Sequence, residues 1–388
     1  MQAASVLRQF PITPTLTEAV LPKNLTSVPD IICFCHLRWN FVYQRPQHLM
    51  QRFAADHRIY YFEESIFGEP MSHLSLEPVG QNIIVATPHL PAGLSSGDQT
   101  WLLRKLVHRL CEEQGIVDPI LWYYSPMALS FTDEVRAASI VYDCMDELTA
   151  FAGAPPELRR FEADLIGRAS VVFTGGQSLF ESKRRLHERV YAFPSSVDVG
   201  HFRKARQRLP EPPDQASIPH PRIGHYAVLD ERLDKELIAA IADARPDWQL
   251  VLIGPVVKID PATLPRRPNI HYLGMKSYAE LPSYLAGWDV AFMPFALNES
   301  TRFISPTKTP EYLAAGRRVV STPIVDVVRT YGDQGLVQIA TTPDEFIACL
   351  EAALAERAHG GTWLKEVDEL LDSMSWDRTW ASMREFMA

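Results

Sequence analysis

The chain has 388 residues, more than one ordinary domain holds; 46% are hydrophobic and 22% charged, so sizeable cores can form and wholesale disorder is excluded. A formal charge of −9 and a pI near 5.8 argue against a general nucleic-acid binder, while leaving room for a local basic patch facing an anionic ligand. Five cysteines, an odd number with no Cys-x-x-Cys pair, suggest neither a disulfide framework nor a zinc site, and the histidines show no ligand spacing.

The first 29 residues carry four prolines and scattered polar groups but no continuous apolar stretch, so no secretory signal is read there. No later run approaches the roughly 20 apolar residues that span a bilayer, and a cytoplasmic location is expected. From residue 30 short β-branched or aromatic runs alternate with helical patterns. Strands are expected at 30–35, 58–62, 82–87, 119–124, 139–142, 170–174 and 189–193, with helices at 46–55, 100–113, 157–168 and 177–187. Within the second helix, residues 101–110 set leucines against Arg104, Lys105, His108 and Arg109. That face is a candidate for peripheral contact with the inner face of a membrane, the alternative being a packed helix with a solvated basic side.

Residues 203–221 break the pattern with five prolines and no apolar period, which is linker composition. A second series follows, with strands at 222–229, 249–253, 269–273, 289–293, 317–321 and 336–340 and helices at 234–244, 278–286, 306–315 and 344–357. The expected division is 1–205, a linker 206–221, and 222–374. The tail 375–388 places Trp376, Trp380, Met383 and Met387 on one helical stripe and is expected to pack back on the first domain. Strand–helix alternation of this kind implies an α/β protein of two doubly wound parallel-sheet domains, whose ligands bind at the carboxyl ends of strands.

The richest segment is 294–316. Ser305 would cap a helix starting at Pro306, or Thr309 one starting at Pro310. Lys308 and Glu311, three residues apart, share a helix face. The ammonium would neutralise a diphosphate and the carboxylate would accept two hydrogen bonds from a vicinal diol such as a ribose. An ordinary surface ion pair is the alternative.

The run SPTKTPEYLAAGRRVVSTP resembles the donor-nucleotide motif of GT-B-fold glycosyltransferases, in the broad group that includes family-four enzymes. HLRWNFVYQRPQHL, VYDCMDE, FTGGQSLFESKRRLH, FPSSVDVGHF and GWDVAFMPF extend the resemblance over nearly the whole chain, towards a bacterial subgroup of polysaccharide-building transferases that includes teichuronic-acid-type ones. The resemblance implies a GT-B fold, two Rossmann-like domains facing an interdomain cleft. It also implies a nucleotide-diphosphate sugar donor, a UDP-sugar in the first instance, and a glycan or lipid-linked acceptor. Glu311 would hold the ribose, and Ser305, Thr307 and Lys308, with Arg232 and Lys258, the diphosphate. The loop of Gly274 and Met275 would lie against the base. Phe303 stands eight positions before Glu311, where many family-four enzymes place a further Glu; Glu299 lies upstream.

In the first domain, the loop after strand 30–35 offers His36, Arg38, Trp39, Gln44 and Arg45 to the acceptor, Trp39 by stacking on a sugar ring. The alternative is a structural loop, with Trp39 buried and Arg45 paired to Glu63 or Glu64. Beyond strand 139–142, Asp146 is the first candidate for the base that takes the acceptor proton and Asp143 the second; helix capping by Asp146 is the alternative. No Asp-x-Asp triplet occurs, so a metal-independent reaction with no cofactor besides the donor is expected, and no nucleic-acid partner. A nucleotide-sugar epimerase of the same architecture and a non-catalytic sugar-nucleotide-binding protein are the rival readings.

Overall fold

The computed structural model describes residues 28–356 and 361–387; all but the last two of the residues read above for a targeting signal lie outside them. Two compact units are present. Of the described residues, one unit holds those up to Cys144, Pro156–Val172 and Phe386–Met387; the other holds Met145–Pro155 and those from Phe173 to Glu385.

The first sheet has nine strands: β1 (Ile31–Phe34), β2 (Ile59–Phe62), β3 (Ile66–Phe67), β4 (His73–Gly80), β5 (Ile83–Leu90), β6 (Ile120–Tyr123), β7 (Ser139–Cys144), β8 (Val171–Thr174) and β9 (Val190–Ala192). Their order is β3-β5-β2-β1-β6-β7-β8-β9, with β4 on β5, and the division between units falls within β8. β1 runs parallel to both neighbours, Ile31 standing opposite Ile59 and Ile120. The runs IICF, IYYF and ILWY are buried at every position, as strands covered on both faces must be. β3 and β4 carry no clear sequence signal. β4 alternates at first, burying Leu74 and Leu76, but Pro78 and Gly80 disturb its antiparallel register with β5.

Helix Ser96–Gln114 turns Leu102, Leu106 and Leu110 into the core of the first unit. Its basic side is largely spoken for: Arg104 pairs with Asp133 at 2.8 Å and with Glu134, and Arg109 pairs with Glu113. The helix is thus packed, the alternative set beside a membrane face above, and Lys105 and His108 on its basic side stay exposed. Among the described residues no helix is long and apolar enough to cross a membrane.

The second sheet comprises β10 (Arg222–Tyr226), β11 (Gln249–Ile253), β12 (Ile270–Tyr272), β13 (Val290–Met293), β14 (Val319–Ser321) and β15 (Gln338–Ile339), all parallel. The order β12-β11-β10-β13-β14-β15 is doubly wound, and its winding reverses between β10 and β13. Sheets of this kind take their ligands at the carboxyl ends of the strands beside such a reversal; here the loops after β10 and β13 are joined, Leu233 pairing with Phe295. Gly224 makes the centre of β10 possible, since a Cβ there would lie 1.9 Å from the Trp288 ring. Trp288, fully buried, in turn supports Tyr226 and Tyr312.

Residues 206–221 are packed rather than an open linker. They contain the helical turn Pro213–Ala216, and buried Gln215 bonds the Tyr284 carbonyl at 3.1 Å and the Trp288 indole at 3.0 Å. Helix Thr362–Leu371, which buries Trp363, Val367 and Leu371, was not anticipated, although its four-residue spacing is visible in the sequence. The final helix, Trp376–Met387, belongs to the second unit as far as Glu385. Thr379 Oγ1 meets Ser196 Oγ at 2.7 Å, and the strand-like segment just before the helix pairs Ser375 with Val197.

Candidate functional site

The helix that carries Lys308 and Glu311 spans Lys308–Ala314, with Thr307 at its N-cap. Neither expected start, at Pro306 or at Pro310, is used. Pro310 is the third helical residue, where the backbone N–H has no intrahelical partner, so its missing donor costs nothing. Ser305 lies ahead of the helix, and its carbonyl accepts from Ser195 Oγ at 3.0 Å.

Glu311 is 5% exposed. Its Oε2 accepts from the Tyr226 hydroxyl at 2.5 Å and from Lys308 Nζ at 3.2 Å, and Oε1 takes part in no hydrogen bond among the described residues. Lys308 Nζ also reaches Thr307 Oγ1 at 2.9 Å and sits 4.9 Å from the centre of the Tyr226 ring. The pair is therefore a held constellation rather than a surface ion pair. Tyr226 is the last residue of β10, and its backbone is fixed in turn. Its N–H donates to the Tyr312 hydroxyl at 2.8 Å, which donates to the Tyr226 carbonyl at 3.1 Å. Burial first, then the Glu311 charge, pushes the Tyr226 phenol well above its ordinary range, so it remains a donor at all working pH.

Beneath this lies His225, wholly buried, whose Nδ1 meets the Phe292 carbonyl at 3.0 Å. Burial lowers its pKa from 6.5 to about 4. A neutral folded His and a protonating unfolded one make stability fall as pH drops from 6.5 towards 4. We expect unfolding free energy to decline by roughly 3 kcal/mol over that window through this group. Denaturant titrations at stepped pH should show that part of the decline removed in His225→Gln.

The other donor candidates gather at the same end of the sheet. Arg232 follows β10 and is clasped by Asp230, Nε to Oδ1 at 2.9 Å and Nη2 to Oδ2 at 2.6 Å. Burial lowers its pKa, but Asp230, with the Asp146 charge added, more than reverses this and holds it above the usual value. Lys258, beyond β11, is exposed with a left-handed φ of 64°. Both cations flank one ring: the Arg232 guanidinium is 5.3 Å and the Lys258 ammonium 5.0 Å from the centre of Phe151. Gly254 lets the β11 loop pass, since a Cβ there would lie 1.7 Å from the Ala227 carbonyl. Met275, 44% exposed, follows β12 and Gly274. Asp146, in the segment Met145–Pro155, is thus placed with the second unit, beside Arg232. Tyr226, Asp230 and Phe151 were missed. The available signal was an aromatic hydroxyl at a strand's carboxyl end for Tyr226; for Phe151 there was none, because the contact joins residues far apart in the chain.

The first-unit candidates resolve differently. Arg45 and Asp143 are 3% and 0% exposed, and they bind each other, Nη2 to Oδ1 at 2.8 Å and Nε to both oxygens at 3.0 Å. Arg45 is therefore neither presented to an acceptor nor paired with Glu63 or Glu64, and Asp143, second candidate for the base, is engaged by it: each neutralises the other inside the core. Trp39, 9% exposed and edge-on to Tyr61 at 5.0 Å, is packed instead of being presented to a sugar. Glu63 organises this loop, accepting from Arg38 at 3.0 Å, the Trp39 N–H at 2.6 Å and Thr87 at 3.1 Å. Arg38, its side chain 41% exposed, and His36, partly exposed, remain at the carboxyl end of β1. Gln44 caps helix Arg45–Phe53 in a reciprocal pair with Gln47. Among the described residues no group of three or more His, Cys, Asp or Glu side chains is arranged to hold a metal.

Known proteins share this architecture. Sucrose-phosphate synthase from Thermosynechococcus elongatus superposes with a TM-score of 0.70 at 13% identity, over 92% of this chain and 98% of that one. A trehalose-6-phosphate protein from E. coli bound with UDP-2-fluoro glucose gives 0.67 at 13% identity, over 92% and 98%. Anabaena HepE in complex with UDP and glucose gives 0.62 at 14%, over 92% and 99%. The fold is GT-B. Residues 226–356, from Tyr226 through the Lys308–Glu311 helix, match the family described as glycosyl transferases group 1. A sequence relative, TuaH of Bacillus subtilis (strain 168), described as a teichuronic acid biosynthesis glycosyltransferase, is 24% identical over 256 residues, 61% of this chain. The match spans 64% of the length of that relative.

Proposed function

We propose that this protein transfers a sugar from a nucleotide-diphosphate sugar, a UDP-sugar in the first instance, to a glycan or lipid-linked acceptor in surface-polysaccharide synthesis. The observation that carries the reading is the Glu311 carboxylate, with Oε2 anchored by Tyr226 and Lys308 and Oε1 left for a ligand, at the switch point of the second sheet. A ribose diol supplies the donors it lacks. Lys308 lies 3.2 Å from Glu311, and with Arg232 and Lys258 it meets the charge of the diphosphate without a metal. The complexes of structural relatives with UDP and UDP-2-fluoro glucose support the same ligand class, and the TuaH relationship supports the polysaccharide setting.

In an inverting displacement the acceptor oxygen forms its bond to the anomeric carbon as the bond to the β-phosphate oxygen breaks. Asp146 would accept the hydroxyl proton and the cations would hold the departing diphosphate. Arg38 and His36 are the residues offered to the acceptor. To test this, the protein is incubated with a panel of UDP- and GDP-sugars, with and without simple glycosides and lipid-phosphate glycosides as acceptors. Release of nucleotide diphosphate coupled to a new glycoside supports transfer, whereas conversion of donor alone into another sugar nucleotide would make the protein an epimerase. Asp146→Asn should leave donor affinity within about twofold and slow transfer roughly 10²–10⁴-fold; equal transfer rates would remove Asp146 as the base.

A further inference from the structure

The loop after β10 contains a second carboxylate whose bonding is incomplete. Both oxygens of Glu231 are shielded from solvent, and neither accepts a hydrogen bond from any described residue. A buried carboxylate left without donors is costly, so such a group persists where a ligand supplies them. The loop that carries it is pinned. The Glu231 carbonyl accepts from Asn298 Nδ2 at 3.2 Å and the Arg232 carbonyl from the Ala296 N–H at 2.8 Å, which ties the residue to the loop after β13 at the sheet's switch point.

The neighbouring carboxylates are otherwise engaged. Asp230 holds Arg232, Asp234 accepts from the Leu237 N–H at 2.8 Å, and Glu311 holds Tyr226 and Lys308. Glu299 is 77% exposed, with Arg302 at 3.7 Å. The ligand part that meets Glu231 must bring hydrogen-bond donors and no negative charge, which excludes the diphosphate itself. It must also adjoin the diphosphate, because the next residue is Arg232. The Glu231 backbone is bonded to the loop after β13, which lies on the side of β10 opposite to β11 and β12. We infer that Glu231 accepts hydrogen bonds from hydroxyls of the sugar being transferred, and so selects donors that present a hydroxyl pair at that position. This rests on the donor reading above and deepens it.

The test is calorimetric titration of the full chain with UDP, UDP-glucose, UDP-galactose and UDP-N-acetylglucosamine, each in EDTA and in Mg²⁺. The UDP-sugar that the wild type binds best is then used on Glu231→Gln and Glu231→Ala. The near-isosteric Gln variant should weaken that sugar nucleotide about tenfold and Ala roughly ten- to hundredfold, with UDP affinity unchanged within about twofold. Parallel loss of UDP would reassign Glu231 to supporting Arg232, and unchanged affinity for the sugar nucleotide in both variants would end the proposal. A sugar contribution present only with Mg²⁺ would overturn it in favour of a cation. Failure of the wild type to bind UDP or any UDP-sugar would instead defeat the donor reading itself.

Discussion

Replacing Glu311 by Ala should abolish binding of the nucleotide diphosphate and its sugars, with a loss of affinity of about 10²-fold or more. Hydrogen bonds to a charged group are worth about 1.5–3 kcal/mol each, and a diol forms two with one carboxylate. The variant also loosens its own scaffold, because the Tyr226 hydroxyl and the Lys308 ammonium both lose the acceptor that Oε2 provides. We expect a stability cost of about 1–3 kcal/mol from those buried orphans. Glu311→Gln separates the two effects. Its amide oxygen keeps the Tyr226 bond, so the fold should be nearly unperturbed, while the amide nitrogen cannot accept from a hydroxyl, and about tenfold of the affinity should be lost. Thermal unfolding and calorimetric titration of the same preparations read the two quantities independently. Wild-type affinity in a folded Ala variant would remove Glu311 from the site.

The second large effect is on stability and falls in the other unit. Arg45→Ala should destabilise the protein by about 3–5 kcal/mol, since it strands the fully buried Asp143 carboxylate. At about 2–4 °C per kcal/mol for a unit of this size, the unfolding midpoint should drop by roughly 10 °C. Exchanging both partners for apolar residues of similar shape, Arg45→Met with Asp143→Leu, should recover most of the loss, because a buried ion pair is seldom better than a well-packed apolar pair. A catalytic Asp143 would behave otherwise. Asp143→Asn would then keep the midpoint and abolish transfer, and that outcome would restore Asp143 as a base.

These two sites show what a sequence discloses and what it withholds. The strands of both sheets were legible wherever they are short runs buried on both faces, as at 30–35 or 249–253, because a parallel strand covered by helices has almost no polar positions. β4 was not, since its outward face is polar and it contains Pro78. The Lys308–Glu311 pair was legible because its geometry is local: two residues three apart on a helix share a face. The Arg45–Asp143 pair joins residues 98 apart, and nothing local distinguishes that guanidinium from one offered to a ligand. The same reason hid Phe151 between Arg232 and Lys258, and Tyr226 beside Glu311. Glu231 was passed over for a different reason: an unremarkable loop carboxylate becomes informative only once its burial and lack of donors are seen.

Donor binding depends on one physical arrangement, an anchored carboxylate and a neighbouring ammonium that would read a ribose and its diphosphate at the switch point of the second sheet. Titration of wild type and Lys308→Met with uridine, UMP and UDP tests it most directly. The arrangement predicts that affinity rises at least tenfold from UMP to UDP in the wild type and that most of this increment disappears in the variant. Equal binding of the three nucleosides and nucleotides, or an increment untouched by the loss of the ammonium, would contradict it.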